Sequence, residues 1–128
     1  MPRKRSPVLT DHELRLMDVL WQAGLATVAE VTERVGSPAL AYNTVLTTLR
    51  TLEQKGYVAH EEDGRAFIYR PLVAQRQAAD SAMRHLLTRF FGNSPGQLAL
   101  RLIDDKKLDD NDLARIQRAL SRKRKASR

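Results

Sequence analysis

Residues 41–71 read AYNTVLTTLRTLEQKGYVAHEEDGRAFIYRP, and the period of the apolar positions changes partway through them. From Ala41 to Lys55, Val45, Leu49 and Leu52 recur at i, i+4 and i+7, with Leu46 beside them. That is the spacing of one buried helix face. The other side carries Asn43, Thr44, Thr47, Arg50, Thr51 and Gln54. Threonine is β-branched and a weak helix former, so so many of them are not there for helix stability alone. Gly56 closes the helix. Tyr57-Val58-Ala59-His60 then reads as a strand, and Glu62-Asp63-Gly64-Arg65 holds the Asp-Gly pair of a tight hairpin. Ala66-Phe67-Ile68-Tyr69-Arg70 is the return strand, with Phe67 and Tyr69 on one face and Ile68 on the other. Pro71 stops it.

Two helices precede this run. Thr10 with Glu13 has capping-box spacing, and Leu9 with Leu14 fits a hydrophobic staple. Leu14, Met17, Leu20 and Trp21 supply the apolar stripe, and Gly24 ends it. Thr27 with Glu30 opens a second helix bearing Val28, Val31 and Val35, stopped at Gly36 before the turn at Ser37-Pro38. Leu25-Ala26-Thr27 can supply a short strand to pair with the hairpin.

After Pro71 the helical period returns. Residues 75–91 carry Ala79, Met83, Leu86 and Phe90 on one stripe, with Leu87 and Phe91 adjoining. Gly92-Asn93 is a break, and Ser94-Pro95-Gly96-Gln97 starts a helix with Pro in its first turn. Leu98, Leu100, Leu102 and Ile103 follow. Leu108-Asp109 opens a last helix with Leu113, Ile116 and Leu120, and the chain after about Ser121 is expected to be disordered.

The expected fold is therefore mainly α with a small β-wing. A basic N-terminal arm (1–8) precedes a winged helix-turn-helix (9–72). A helical dimerisation region (73–121) and a basic disordered tail (122–128) follow. Phe90, Phe91, Leu98, Leu102, Leu113, Ile116 and Leu120 exceed what three short helices can bury alone. A second copy is the economical partner, making a homodimer. The alternative is that these helices fold back on the winged domain.

Composition narrows the chemistry. The chain has 128 residues, 42% of them hydrophobic, and no Cys. That excludes disulfides, a thiol nucleophile and thiolate metal sites. His12, His60 and His85 lie on three elements without metal-ligand spacing, and His12 and His60 read as surface residues. There is no GxSxG, no phosphate-loop Lys and no calcium loop. We expect no enzyme, no cofactor and no metal. No apolar run approaches the roughly 20 residues of a membrane span, and the basic start lacks the apolar stretch of a signal peptide. A cytoplasmic location is expected.

The net charge of +7 is unevenly spread. Residues 1–72 hold nine basic and nine acidic side chains, and residues 73–128 hold thirteen and six. A basic balance suggests a polyanion partner. In a winged helix the third helix enters the major groove and the hairpin tip approaches the backbone or minor groove of double-stranded DNA. Tyr42, Asn43, Thr44, Thr47 and Arg50 on that helix, Arg65 at the wing tip, and Arg3, Lys4 and Arg5 in the arm are the candidate contacts. Glu61, Glu62 and Asp63 near the wing oppose phosphate unless they point away. A winged helix also serves protein–protein contact without DNA, which leaves an adaptor as the alternative.

Several of these stretches resemble one family. Leu9-Thr10-Asp11-His12-Glu13 through Met17-Asp18-Val19-Leu20-Trp21 is similar to the opening of the BlaI/MecI/CopY (penicillinase repressor) family. Thr44-Val45-Leu46-Thr47-Thr48-Leu49 with Leu52-Glu53-Gln54-Lys55-Gly56 resembles its recognition helix, and Gly64 to Leu72 its wing and exit. Phe90-Phe91-Gly92-Asn93-Ser94 and Lys107-Leu108-Asp109-Asp110 resemble its dimerisation segment. The resemblance implies a dimeric repressor of palindromic operators. Thr44 and Thr47 match recognition-helix threonines, and Arg65 the wing arginine. In the antibiotic-resistance branch it further implies a membrane sensor protease system responding to β-lactams and cleavage in the dimerisation region, here near Arg101-Leu102. Thr51 stands where many members carry Arg, and the Asn-Phe pair cut in the staphylococcal members is absent. The Cys cluster of the copper-responsive branch is absent too.

Overall fold

The computed structural model describes residues 8–127. In chain order the elements are α1 (Asp11–Ala23), β1 (Ala26–Thr27), α2 (Val28–Arg34), α3 (Tyr42–Gln54), β2 (Val58–Asp63), β3 (Ala66–Pro71), α4 (Gln75–Phe90), α5 (Pro95–Asp104) and α6 (Asp110–Ala126). The strands form one antiparallel sheet in the order β1-β3-β2. Ala26 pairs with Tyr69 and Thr27 with Ile68, so the short strand between α1 and α2 does close the wing. Gly64, at φ +63°, makes the hairpin turn that a side chain would strain.

The helix starts follow the capping chemistry. Thr10 with Glu13 and Thr27 with Glu30 form reciprocal capping boxes, as does Asp109 with Asp112 on α6. Each box satisfies two backbone donors that a helix N-terminus would otherwise leave unpaired. Ser94 caps α5 through the Gln97 N–H.

The chain divides into two units, with the break between His85 and Leu86. In the first, Leu16, Met17, Leu20, Val31, Val45, Leu49 and Leu52 are fully buried, with Tyr57, Val58 and Tyr69 beside them. The exit segment and the first turns of α4 belong here: Val73 before the helix and Ala78 within it are buried, and the Trp21 indole N–H donates to the Val73 carbonyl at 2.8 Å. The winged fold thus continues past residue 72, because this exit segment supplies apolar side chains to its core.

The register of α1 differs from the apolar stripe read in the sequence. Leu14 is exposed, while Glu13 and Leu16 point inward. Leu16, Met17, Val19 and Leu20 make up the buried face, and Glu13 is held on it by a partner 42 residues away: the Lys55 ammonium lies 2.8–2.9 Å from both Glu13 carboxylate oxygens. Burial pushes the Glu13 carboxyl up, but hydrogen bonds from Lys55 and the Thr10 N–H, with the Lys55 charge, outweigh it and hold the group below the usual glutamate range. This pair ties the start of α1 to the end of α3. The Arg15 guanidinium donates to the carbonyls of Val35 and Pro38 and so fixes the loop that leads into α3.

The second unit holds α5, α6 and the end of α4, and none of its described side chains is buried. α4 ends at a turn in which Gly92 and Asn93 both have positive φ and the Asn93 N–H donates to the Leu87 carbonyl. α6 runs to Ala126, where disorder was expected after Ser121. No Gly or Pro interrupts it there, Arg and Lys are good helix formers, and cations suit the negative end of the dipole.

Candidate nucleic-acid interface

At about 100° per residue, Asn43, Thr47, Arg50 and Gln54 fall on one line of α3. All four are exposed, and Val45, Leu49 and Leu52 are buried on the opposite side. The apolar stripe sets the rotation of the helix, and that rotation presents the polar line to solvent. The Arg50 and Arg65 guanidinium groups have no carboxylate within ion-pair distance among the described residues. An exposed, unpaired guanidinium can take a phosphate or the O6/N7 edge of guanine, and an exposed Asn amide can read adenine.

The threonines divide into two kinds. Thr48 and Thr51 spend their hydroxyls on the helix itself, bonding the carbonyls of Thr44 at 2.7 Å and Thr47 at 3.1 Å. Thr47 lies on the exposed line with its hydroxyl unused among the described residues. Thr44, half-buried, sits to the side of that line with Thr48 and Thr51. Gln54 extends the line by one further turn, and its i+11 spacing from Asn43 was the signal that could have added it.

The other flank of α3 faces the wing. Tyr42 and Leu46 share a groove of about 470 Å³ with Thr27, Val28, Arg65 and Phe67. Farther along, the His60 Nδ1–H donates to the Glu53 carboxylate, 2.7 and 2.8 Å from its two oxygens. The His60 ring rests on Phe67 and Tyr69, with centroids 4.8 and 5.3 Å away. His60 is therefore half-buried and partnered, a latch between α3 and the wing; His12, by contrast, is exposed. The residue pattern of a strand does not reveal a partner seven positions back on a helix.

Arg65 is exposed in the turn itself: Asp63 pairs with Ala66, so the two turn residues are Gly64 and Arg65 rather than the Asp63-Gly64 pair expected from the sequence. Glu61, Glu62 and Asp63 are exposed on the neighbouring strand; Glu61 stands opposite Ile68, on the sheet face away from the Tyr69 and His60 rings. Arg3, Lys4 and Arg5 lie outside the described residues. The seven apolar residues expected at a dimer interface all stay at least partly exposed, Phe90 most of all. Met83, Leu86, Leu100 and Ile103 join them as exposed apolar side chains. Arg101 and Leu102 lie inside α5, with the Arg101 Nε–H donating to Asp105 at 3.2 Å. Among the described residues no cluster of His or acidic side chains could hold a metal, and no helix is long and apolar enough to cross a membrane.

Comparison with known proteins identifies the family. The penicillinase repressor family model matches residues 9–122. The penicillinase repressor of Bacillus licheniformis is 24% identical over 118 residues, covering 91% of this chain and 92% of that one. The methicillin resistance regulatory protein MecI of Staphylococcus aureus is 17% identical over 116 residues, 90% of this chain and 94% of that one. The solution structure of the DNA-binding domain of the repressor BlaI superposes with a TM-score of 0.52 at 29% identity, over 58% of this chain and 92% of that domain. With its winged-helix architecture and a match along nearly its whole length, the chain belongs to the penicillinase repressor family of transcriptional regulators, which are not enzymes.

Proposed function

We propose that the chain is a homodimeric repressor that binds a palindromic operator in double-stranded DNA. The single observation that carries this reading is the exposed line Asn43-Thr47-Arg50-Gln54 on α3, set against a fully buried apolar stripe. The line enters the major groove, Arg65 reaches the backbone beside it, and Tyr42 and Thr44 flank the contact. A twofold dimer puts two such helices on half-sites about 34–36 Å apart, one turn of the duplex. Affinity then comes from bivalency, since the second half-site is met at high effective concentration.

Control follows from the same design. Cutting α5 near Arg101-Leu102 separates the two DNA-binding halves and lowers affinity without touching α3. A membrane sensor protease system is the partner that this implies, and genes of β-lactam resistance are the class regulated. The Arg101-Leu102 bond lies in a hydrogen-bonded helix, so α5 must unwind before a protease can bind it in extended form.

The test is equilibrium binding of the full chain to the duplex upstream of its own gene. Arg50→Ala is expected to lose roughly 1–3 kcal/mol on that duplex and much less on a scrambled one if the arginine reads a base. An equal loss on both, with a shallower salt dependence, assigns Arg50 to phosphate. A second reading, an adaptor that binds protein alone, draws on one observation: residues 1–72 carry nine acidic and nine basic side chains, a net charge of zero. Absence of any salt-dependent DNA binding by the full chain selects it.

A further inference from the structure

The zero net charge of residues 1–72 leaves open where the chain finds further charge for a polyanion. After Asp112 there is no acidic residue, and α6 carries Arg115, Arg118, Arg122, Lys123, Arg124 and Lys125. All six are exposed. Among the described residues only Arg115 has a carboxylate partner, Asp112 at 3.9 Å. The helix runs through the whole cluster to Ala126, so these charges have fixed directions.

At about 100° per residue, Arg115, Arg118, Arg122 and Lys125 share one face. Leu113, Ile116 and Leu120 share the face roughly opposite. Like charges three and four residues apart repel and weaken a helix, so this arrangement works against the stability of α6 unless an anion relieves it. The cluster also exceeds what the helix dipole asks for, because that effect fades within the last turn.

We infer that the Arg115-Arg118-Arg122-Lys125 face of α6 is a second docking surface, one that binds the phosphate backbone of double-stranded DNA without regard to sequence. The inference rests on the DNA-binding reading above and adds a second contact to it. From Arg115 to Lys125 the helix rises about 15 Å, matched by four or five phosphates of one strand at about 3.4 Å of axis each. These four cations lie opposite Leu113, Ile116 and Leu120, an opposition that a membrane-surface helix shares. The DNA-binding reading selects the duplex as the occupant, so one partner on each side fits: a second copy on the apolar face and the phosphate backbone on the basic one.

The experiment compares two full-length variants that lose equal charge from different sides of α6. R118Q/R122Q empties the basic face, and K123Q/R124Q removes two cations outside it. Each is titrated with the upstream duplex and with a scrambled duplex of equal length across about 50–200 mM salt, beside Arg50→Ala. Wild type is expected to bind the scrambled duplex measurably. R118Q/R122Q should weaken both duplexes by a similar factor, about tenfold at the lower salt, and flatten the log–log salt slope by about 1–2. K123Q/R124Q should change both by less than half as much. All four side chains are exposed, so both variants should keep wild-type helix content by circular dichroism. Equal effects of the two variants reduce the surface to net charge and overturn the inference. So does an unchanged slope in R118Q/R122Q, and an operator-specific loss in Arg50→Ala then leaves the α3 reading standing. Tighter binding to phosphatidylserine–phosphatidylcholine vesicles than to the scrambled duplex assigns the face to a membrane. Wild type that binds neither duplex ends both readings.

Discussion

In the winged unit Leu16, Met17, Leu20, Val45, Leu49 and Leu52 are all 0% exposed; beyond His85 no described side chain is buried, and Phe90 is 74% exposed. The two regions use the same materials, amphipathic helices with reciprocal caps and aliphatic stripes. They differ in what the stripes meet. In the first, α1, α2, α3 and a three-stranded sheet enclose one another. In the second, α5 has ten residues and α6 seventeen, and each keeps its apolar side open. Isolated helices of this length are marginal in water. Patterning therefore specifies a helix face equally well in both regions, but only the topology of the first closes its core within one chain. In the homodimer proposed above, the second meets its surface on another copy of the chain.

One substitution made in both regions tests this contrast most strongly. Leu49→Ala removes a fully buried side chain from α3 and should cost about 2–5 kcal/mol, read as a lower urea midpoint of the full chain. Leu120→Ala, 47% exposed in α6, should leave the unfolding of the winged unit unchanged and weaken self-association instead. Equal destabilisation by the two would mean that α6 packs within its own chain.

The next effect belongs to the Glu13–Lys55 pair. Lys55→Ala strands a buried carboxylate and should cost roughly 3 kcal/mol at neutral pH. Because the folded Glu13 titrates below its unfolded value, the unfolded chain takes up the proton first. The stabilisation is complete above the ordinary glutamate range and is lost as pH falls through the lowered folded value. Glu13→Gln should therefore flatten the acid limb of the stability curve, measured by denaturant titration at a series of pH values. A limb as steep as wild type would assign acid sensitivity to other carboxylates.

How much of this was legible in the sequence depends on the reach of each interaction. The caps at Thr10, Thr27 and Asp109, the buried face of α3 and the presence of a glycine hairpin turn all follow from neighbours a few residues apart, although the turn falls at Gly64-Arg65 rather than Asp63-Gly64. The inward Glu13 did not, since its rationale is Lys55 on another helix. The extension of the winged unit past residue 72 depended on Val73 and Ala78 joining its core and on the Trp21 indole bonding the Val73 carbonyl. On α3 the period placed Asn43, Thr47 and Arg50 correctly, but it could not tell hydroxyls turned back on the helix, at Thr48 and Thr51, from the free one at Thr47. The partnered state of His60 was invisible for the same reason.

Two smaller effects sharpen the comparison. His60→Ala breaks the latch to Glu53, and should lower stability by about 1 kcal/mol and loosen Arg65 relative to α3. Arg65→Ala should then cost less operator affinity in the His60→Ala background than in wild type, a double-mutant cycle whose additivity would dismiss the latch. Ser94→Ala removes the cap of α5 at a local cost of about 0.5–1 kcal/mol. Limited proteolysis should speed up a fewfold within α5, near Arg101-Leu102, and remain unchanged in α3. Faster cutting in both would show that the two regions unfold together.

The pairing of two chains through their exposed C-terminal helices is tested most directly by analytical ultracentrifugation of the full chain, alone and with one operator duplex. The expected result is a mass of two chains at micromolar concentration and two chains on each duplex. A single chain at tens of micromolar, binding a full operator no more tightly than half of it, would contradict the bivalent repressor.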